Sequence, residues 1–258
     1  MIPQEFAAAL AALEERRPDA HFHVQWHASL PSTMDAAAAL ARAGALHGTV
    51  VVADEQTQGR GRRGTTWASP PGAGLYFSFV ARPLSPPHAL SLLTLAVGVA
   101  VREGIEDATG LAADLKWPND LLVGRRKLAG ILAEGLAVGA PEQAVIIGIG
   151  VNVQTAAYPA DVRTRATSIE DELGRRVDRG LLFAAILIAL SDRLAQLGRA
   201  PGDILQTWRA ASPNAIGTLV EWEGRNGVTA GIDDGGALLV KTPAGVERII
   251  AGELQWML

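Results

Sequence analysis

The chain alternates between two kinds of hydrophobic spacing. Short apolar runs of strand length recur in the first half, among them TVVVADEQ at 49–56, GLYFSFVARP at 74–83 and AVIIGIGVNV at 144–153. Runs this short, rich in β-branched and aromatic residues and bounded by Gly, Pro or Asp, read as strands buried on at least one face. HFHVQWH at 21–27 alternates and predicts another. ADLKWPNDLLVG and RKLAGILAEGLA add two more strand-like runs at 113–124 and 126–137. Between them the spacing becomes helical. An alanine-rich first helix ends near Pro18. STMDAAAALARAG opens a second, with Ser32 and Asp35 in capping-box positions and Gly44 as a stop. HALSLLTLAVGVAVREGIEDATG, 88–110, repeats an apolar face over a long helix. Further helices are predicted at 167–173, 178–197 and 203–211. From about Ala215 the texture changes to short strands broken by Gly, Asp and Pro, as in GTLVEWEG and GVTAGIDDGG. That spacing suggests a small β-barrel or sandwich, so a boundary is placed near Pro213, dividing the chain into 1–213 and 214–258.

Composition narrows the class. The chain of 258 residues is 48% hydrophobic and 19% charged, enough to build a packed core. Its net charge of −4 argues against bulk nucleic-acid binding through a basic surface but leaves room for a local cationic site. The absence of cysteine excludes thiolate chemistry and a disulfide framework. The first residues lack a basic n-region, and the longest uncharged helical run, GLLFAAILIALS at 180–191, falls short of the ~18 apolar residues of a membrane span. A soluble, cytoplasmic protein with no membrane partner is expected, and 180–191 reads as a core helix.

GRGRRG at 59–64 fits the dinucleotide fingerprint G-x-G-x-x-G. The fingerprint carries information only where a strand leads in and a helix leads out, because the phosphates sit on that helix's N-terminus. Here TTWASPPGAG follows, and its prolines rule the helix out. No acidic residue stands at the ribose-binding distance either. What remains is a segment of three arginines interleaved with three glycines, in which backbone can approach a ligand closely and guanidinium forks suit phosphate. By itself it reads equally as a solvated basic loop or an RNA-binding segment. A second cluster, LKWPNDLLVGRRKLAGILAE, sets Lys116, Asn119, Asp120 and Lys127 around a strand–turn–strand, and a third places Asn152 in the apolar run GIGVNV.

Together GRGRRG, the W-x-S-P that follows, KWPNDLL, RKLAGIL and GIGVNV, in this order, resemble the biotin protein ligase family. The resemblance runs from PSTMD to the β-rich tail. It implies an α+β fold: a mixed-sheet catalytic domain of the biotin/lipoate ligase type, followed by a small SH3-like β-barrel. It implies a two-step reaction, in which biotin and ATP give biotinoyl-5′-AMP and a carrier lysine then takes the biotin. ATP and Mg²⁺ are the cofactors implied. The partner is the biotin carrier domain of acetyl-CoA carboxylase or a related carboxylase, with a homodimer as a further family trait. About twenty residues precede the homology, too few for a three-helix DNA reader, so no DNA binding is expected.

The resemblance also assigns roles. Lys127, Arg62 and Lys116 are the catalytic candidates, with Lys127 a fixed positive charge between the biotin carboxylate and the α-phosphate. Ser32, Thr33 and Met34 take the ureido-contacting position, with Gln56 as polar partner. Arg60, Gly61 and Arg62 fold over biotin and the adenylate, and Gly130 lies beside them. The nucleotide side is Arg60, Arg62, Arg63, Trp67, Asn119, Asp120, Lys127 and Asn152, with Asp120 the candidate ligand for the metal. One departure stands out: the family motif usually reads Ser-Thr-Asn, and this chain has Met34. A lipoate ligase is the nearest alternative activity, and an RNA-binding module using the arginine loop is the alternative from another class.

Overall fold

A computed structural model describes residues 2–82, 90–137, 143–250, 252 and 254–257. Seven strands form a mixed sheet: β1 (His23–Leu30), β2 (Thr49–Gln56), β3 (Gly74–Ala81), β4 (Asp114–Lys116), β5 (Asp120–Val123), β6 (Arg126–Ala137) and β7 (Gln143–Asn152). Their spatial order is β1-β2-β3-β7-β6-β5-β4; β1 runs parallel to β2 and the other pairs are antiparallel.

Strand parity explains how this sheet is used. On β7, Ile147, Ile149 and Val151 are buried in the main core, while Gly148 and Gly150 face the other way. The main core lies between the sheet and three helices, α1 (Gln4–Arg16), α3 (Leu90–Thr109) and α5 (Arg179–Leu197). Phe6, Phe77 and Phe183 meet edge-on there, with ring centroids 5.7 and 5.2 Å apart, a favoured arrangement of aromatic quadrupoles. Among the described residues α5 is the one helix long and apolar enough to cross a bilayer. In this fold its Leu182, Phe183, Ile186, Leu187 and Leu190 are buried in the core, as expected of 180–191. The opposite face of the sheet carries α2 (Thr33–Arg42) over a smaller cluster of Met34, Val51, Val80 and Ile146.

The tail forms a second, antiparallel sheet from β8 (Ile216–Trp222), β9 (Arg225–Ile232), β10 (Leu238–Thr242), β11 (Gly245–Ile249) and β12 (Gln255–Trp256), in the order β11-β10-β9-β8-β12. A 3₁₀ turn, Pro213–Ala215, precedes it where the sequence changes texture. The two sheets share one buried cluster, since Val220, Trp222, Leu238 and Val240 pack continuously with the main core. Trp117 Nε1 donates to the Gly236 carbonyl at 3.0 Å and Ser91 Oγ to that of Gly235 at 2.9 Å, fastening the tail to β4 and α3.

Several local expectations change. ADLKWPNDLLVG is two strands, β4 and β5, folded on each other about Trp117–Asn119. The first residues of the predicted 88–110 helix, His88 and Ala89, lie outside the described residues. The Ser32–Asp35 capping box does not form. Ser32 is extended (φ −156°, ψ 130°) and its side chain makes no cap bond. The N–H of Thr33 is taken by Gln56 instead, and Asp35 is paired with Arg60 at 3.0 Å. Asp35 is thus engaged by Arg60, and Ser32 Oγ is left without a cap partner. Side-chain N-caps do form downstream: Ser168 accepts from Asp171 N–H ahead of α4 (Ile169–Leu173), and Asp178 from Leu181 N–H ahead of α5.

Candidate active site

The arginine segment is a tight hairpin. Trp67 N–H donates to the Gly59 carbonyl at 2.9 Å, Arg60 bridges Thr66, and Gly61 N–H reaches the Thr65 carbonyl at 2.7 Å. Arg63 and Gly64 turn it over at φ 53° and 78°, the left-handed region in which glycine is strain-free. No helix follows, so the fingerprint is a hairpin tip and not a dinucleotide turn.

This hairpin lies over a floor of glycines. Gly130 on β6 sits directly opposite Gly150 on β7, and Gly148 is two residues along. A Cβ on Gly130 would stand 2.8 Å from Trp67 Cζ3, and one on Gly150 would stand 2.5 Å from Trp67 Cε2. The indole therefore lies flat where side chains are missing. A Cβ on Gly148 would meet Met34 Sδ at 2.6 Å.

Between hairpin and floor is a cavity of ≈ 610 Å³, within the range of small-molecule sites. Every sequence-predicted site residue except Ser32 lines it. Ser32, next to the lining Thr33, is buried with its Oγ unpartnered among the described residues.

The two ends of the cavity differ in chemistry. One is neutral and polar. Gln56 Oε1 accepts from Thr33 N–H at 2.9 Å and from Thr33 Oγ1 at 3.0 Å, and Gln56 Nε2 donates to Ser69 Oγ at 2.9 Å. Thr33 Oγ1 and Ser78 Oγ lie 2.8 Å apart. The other end is cationic. Arg62, Arg63, Lys116, Lys127 and Arg165 line it, with Asp120 the one carboxylate among the described lining residues, while Arg60 is paired with Asp35 and Glu134.

Lys127 is held with unusual thoroughness. It stands at a bulge, where β5 pairs Leu121 with Ala129 but Leu122 with Lys127. Bulges of this kind re-aim a side chain. Its N–H donates to the Arg165 carbonyl at 2.7 Å and its carbonyl accepts from Thr167 N–H at 2.9 Å. Asn152 Nδ2 bonds the carbonyls of Thr167 and Lys127 at 3.0 and 3.3 Å. Asn152 is 4% exposed, so its amide group works as a clamp on the lysine's backbone. Lys127 Nζ lies 2.6 Å from Asp120 Oδ1 and 5.2 Å from the centroid of the Trp67 indole. Arg62 Nη1 reaches Asn119 Oδ1 at 3.3 Å and the Gly252 carbonyl at 3.5 Å, joining the hairpin to both the β4–β5 turn and the tail. Lys116 Nζ lies 5.6 Å from the Trp256 ring centroid.

Three contributors had not been expected. Gly148 and Gly150 are visible in hindsight as a break in an otherwise large-residue strand. Gly252, Leu254 and Trp256 bring the tail into the wall. The segment Ala157–Ala166 forms a roof with Tyr158, Val162 and Arg165. Asp171 gathers it, accepting from Tyr158 Oη at 2.8 Å, Ser168 Oγ at 2.7 Å and Thr155 Oγ1. Burial pushes that carboxyl up, but the hydroxyl bonds outweigh it and hold it below the usual range. The Tyr158 phenol is pushed up to about 12 by burial and by its bond to Asp171, so it stays neutral.

The donor set suits a polyanion better than a bare metal. No group of three or more His, Cys, Asp or Glu side chains converges among the described residues. A magnesium ion here would take Asp120 as its protein carboxylate and fill its remaining positions with phosphate oxygens and water, as Mg²⁺ commonly does.

A mixed sheet whose glycine-floored face carries an arginine hairpin, with a tail sheet closing one wall, is the build of a ligase that activates a small acid. The model of the biotin/lipoate A/B protein ligase family matches residues 26–152. Over 242 residues the chain is 38% identical to the bifunctional ligase/repressor BirA of Bacillus subtilis, covering 90% of this chain and 74% of that one. It is 38% identical to the biotin–[acetyl-CoA-carboxylase] ligase of Paracoccus denitrificans, covering 84% and 95%. The solved biotin protein ligase from Aquifex aeolicus in complex with biotin and ATP superposes with a TM-score of 0.80 at 30% identity, covering 91% of this chain and 98% of that one. The chain belongs to the biotin/lipoate A/B protein ligase family.

Proposed function

We propose that this cavity joins biotin to a lysine of a carboxylase's biotin carrier domain, at the expense of ATP. One observation carries the reading: a neutral hydrogen-bonding end and a cationic end share a single hollow. Biotin has the same polarity, with a neutral ureido ring at one end and a carboxylate at the other. The Thr33–Gln56–Ser69 network offers neutral donors and acceptors of the kind a ureido group needs. The dithiolane ring of lipoate has no such groups, so the network favours biotin. Relatives and neighbours named as biotin ligases agree.

In the first step a biotin carboxylate oxygen attacks the α-phosphorus of ATP. The bond to the β-phosphate breaks, pyrophosphate leaves, and a mixed anhydride remains. Two anions must approach, and cations fixed in advance offset their repulsion without reorganising during the reaction. Lys127, clamped through its backbone, is the group placed for the carboxylate and α-phosphate. Arg60, Gly61 and Arg62 cover biotin and the adenylate from the hairpin. Arg63, Asn119 and Asp120 face the nucleotide, with Trp67 as its apolar wall. Magnesium, when bound, supplies further positive charge at the phosphates. In the second step the carrier lysine's amine attacks the acyl carbon, the acyl C–O bond to phosphate breaks and AMP departs. Lys116, at the tail wall, stands where the incoming chain enters. The reading divides the chain into 1–213, which carries this chemistry, and 214–258, which walls it.

Incubation with ATP, magnesium and labelled biotin should transfer label to a carrier-domain lysine. Pyrophosphate exchange that depends on lipoate and ignores biotin would overturn the assignment.

A further inference from the structure

We infer that Met34 and Gly148 form a matched pair that sets the depth of the ring-binding end, making Met34 a specificity-determining residue. The inference rests on the biotin reading above and concerns which acids the site admits.

Met34 opens α2 beside Thr33, on the side of the neutral Thr33–Gln56–Ser69 network, with Arg60 held by the neighbouring Asp35. It is 4% exposed and packs into the cluster with Val51, Val80 and Ile146, yet it also lines the cavity. Its thioether occupies the space where a side chain on residue 148 would be: a Cβ there would be 2.6 Å from Sδ and 3.0 Å from Cγ. Gly148 pairs across the sheet with Ser78 and Leu132, at the back of the Thr33–Ser78 hydrogen bond. The end of the cavity is therefore a flexible thioether lying on bare backbone. An unbranched side chain with three rotatable bonds fills such a gap without fixing a hydrogen-bonding pattern. The ring end thus reads its ligand by hydrogen bonds on the Thr33–Gln56 side and by volume alone on the Met34 side.

Two consequences follow. Shortening Met34 should deepen the site and admit substituents on the ring edge remote from the valerate chain. A methyl on Gly148 should push Met34 into the cavity and exclude biotin itself, and shortening Met34 should then restore it.

The test uses the full chain and biotin-dependent ATP–pyrophosphate exchange, with biotin and a biotin analogue methylated on a ureido nitrogen as probes. For Met34→Ala, the ratio of kcat/KM for the analogue to that for biotin should rise about tenfold or more, the scale set by one methylene in a fitted pocket. Gly148→Ala should raise the KM for biotin about tenfold with the KM for ATP unchanged, and Met34→Ala/Gly148→Ala should recover most of that loss. An unchanged analogue ratio in Met34→Ala would overturn the inference, as would a Gly148→Ala penalty that persists in the double variant. Melting curves on each variant identify any loss due to misfolding, and recovery in the double variant cannot come from a merely damaged fold. If the parent shows no biotin-dependent exchange, the ligase reading itself fails, an outcome distinct from either of these.

Discussion

The two faces of the seven-stranded sheet are made by the same strands and do opposite things. On β7 the residues of one parity, Ile147, Ile149 and Val151, are at most 3% exposed and belong to the main core. Those of the other parity include Gly148 and Gly150, and the face they leave bare is where Trp67 and Met34 lie. One face maximises buried apolar area; the other, beside its smaller cluster under α2, is stripped of side chains at Gly130, Gly148 and Gly150. Because strand side chains alternate, the two demands need not compete within one segment. Stability and ligand space are assigned to odd and even positions of one strand.

This separation can be broken from either side. On the core face, Ile147→Ala removes a fully buried side chain and should cost about 2–5 kcal/mol of stability. Chemical denaturation would report that loss, and the KM values of the surviving folded enzyme should not move. On the open face, Lys127→Ala should reduce adenylate formation by about 10²–10³-fold, the scale of losing one preorganised charge-stabilising group. The melting temperature should stay near the parent's, because the backbone bonds that hold residue 127 are kept; normal pyrophosphate exchange would refute its role. Gly150→Ala should raise substrate KM roughly tenfold by displacing Trp67, with little change in the melting temperature. A large stability loss instead would show that the glycine floor belongs to the core.

The smallest effect concerns pH and the joint between the sheets. Burial pushes the Asp233 carboxyl up, but the Arg248 guanidinium and the N–H groups of Ala237 and Gly235 outweigh it, leaving it below its ordinary value of 3.8. A carboxyl depressed in the folded state binds its proton more readily when unfolded. Its contribution is therefore complete above pH 3.8 and is lost as pH falls through the lower folded value. Asp233→Asn should destabilise the protein at neutral pH and narrow the difference between melts at about pH 7 and about pH 3. Equal pH dependence in both proteins would exclude this contribution.

Much of this architecture was legible in the residues. AVIIGIGVNV gives the strand, though its bare face shows only in the structure, and the motifs around Arg62 and Lys127 name the charges that meet in one cavity. What was hidden has physical reasons. Ser32 and Asp35 look like a cap until Arg60, distant in sequence, takes the aspartate. KWPNDLL reads as one run because its fold-back takes only a few residues of turn. The roof over the cavity has no periodicity, since hydroxyl bonds to Asp171 organise it in place of a regular ladder. A two-residue strand such as Gln255–Trp256 leaves no pattern, because its pairing with β8 is set by the rest of the fold.

Trp256 on the cavity wall has a practical side. A bulky group fused close after it would be tethered to a wall that a protein acceptor has to approach under the function proposed above. The opposite end, where α1 packs against α5 behind the sheet, is remote from that traffic. Affinity handles, fluorophores or surface tethers attached there should leave turnover untouched, whereas the same additions at the carboxyl end should slow the transfer to a protein acceptor more than they slow pyrophosphate exchange.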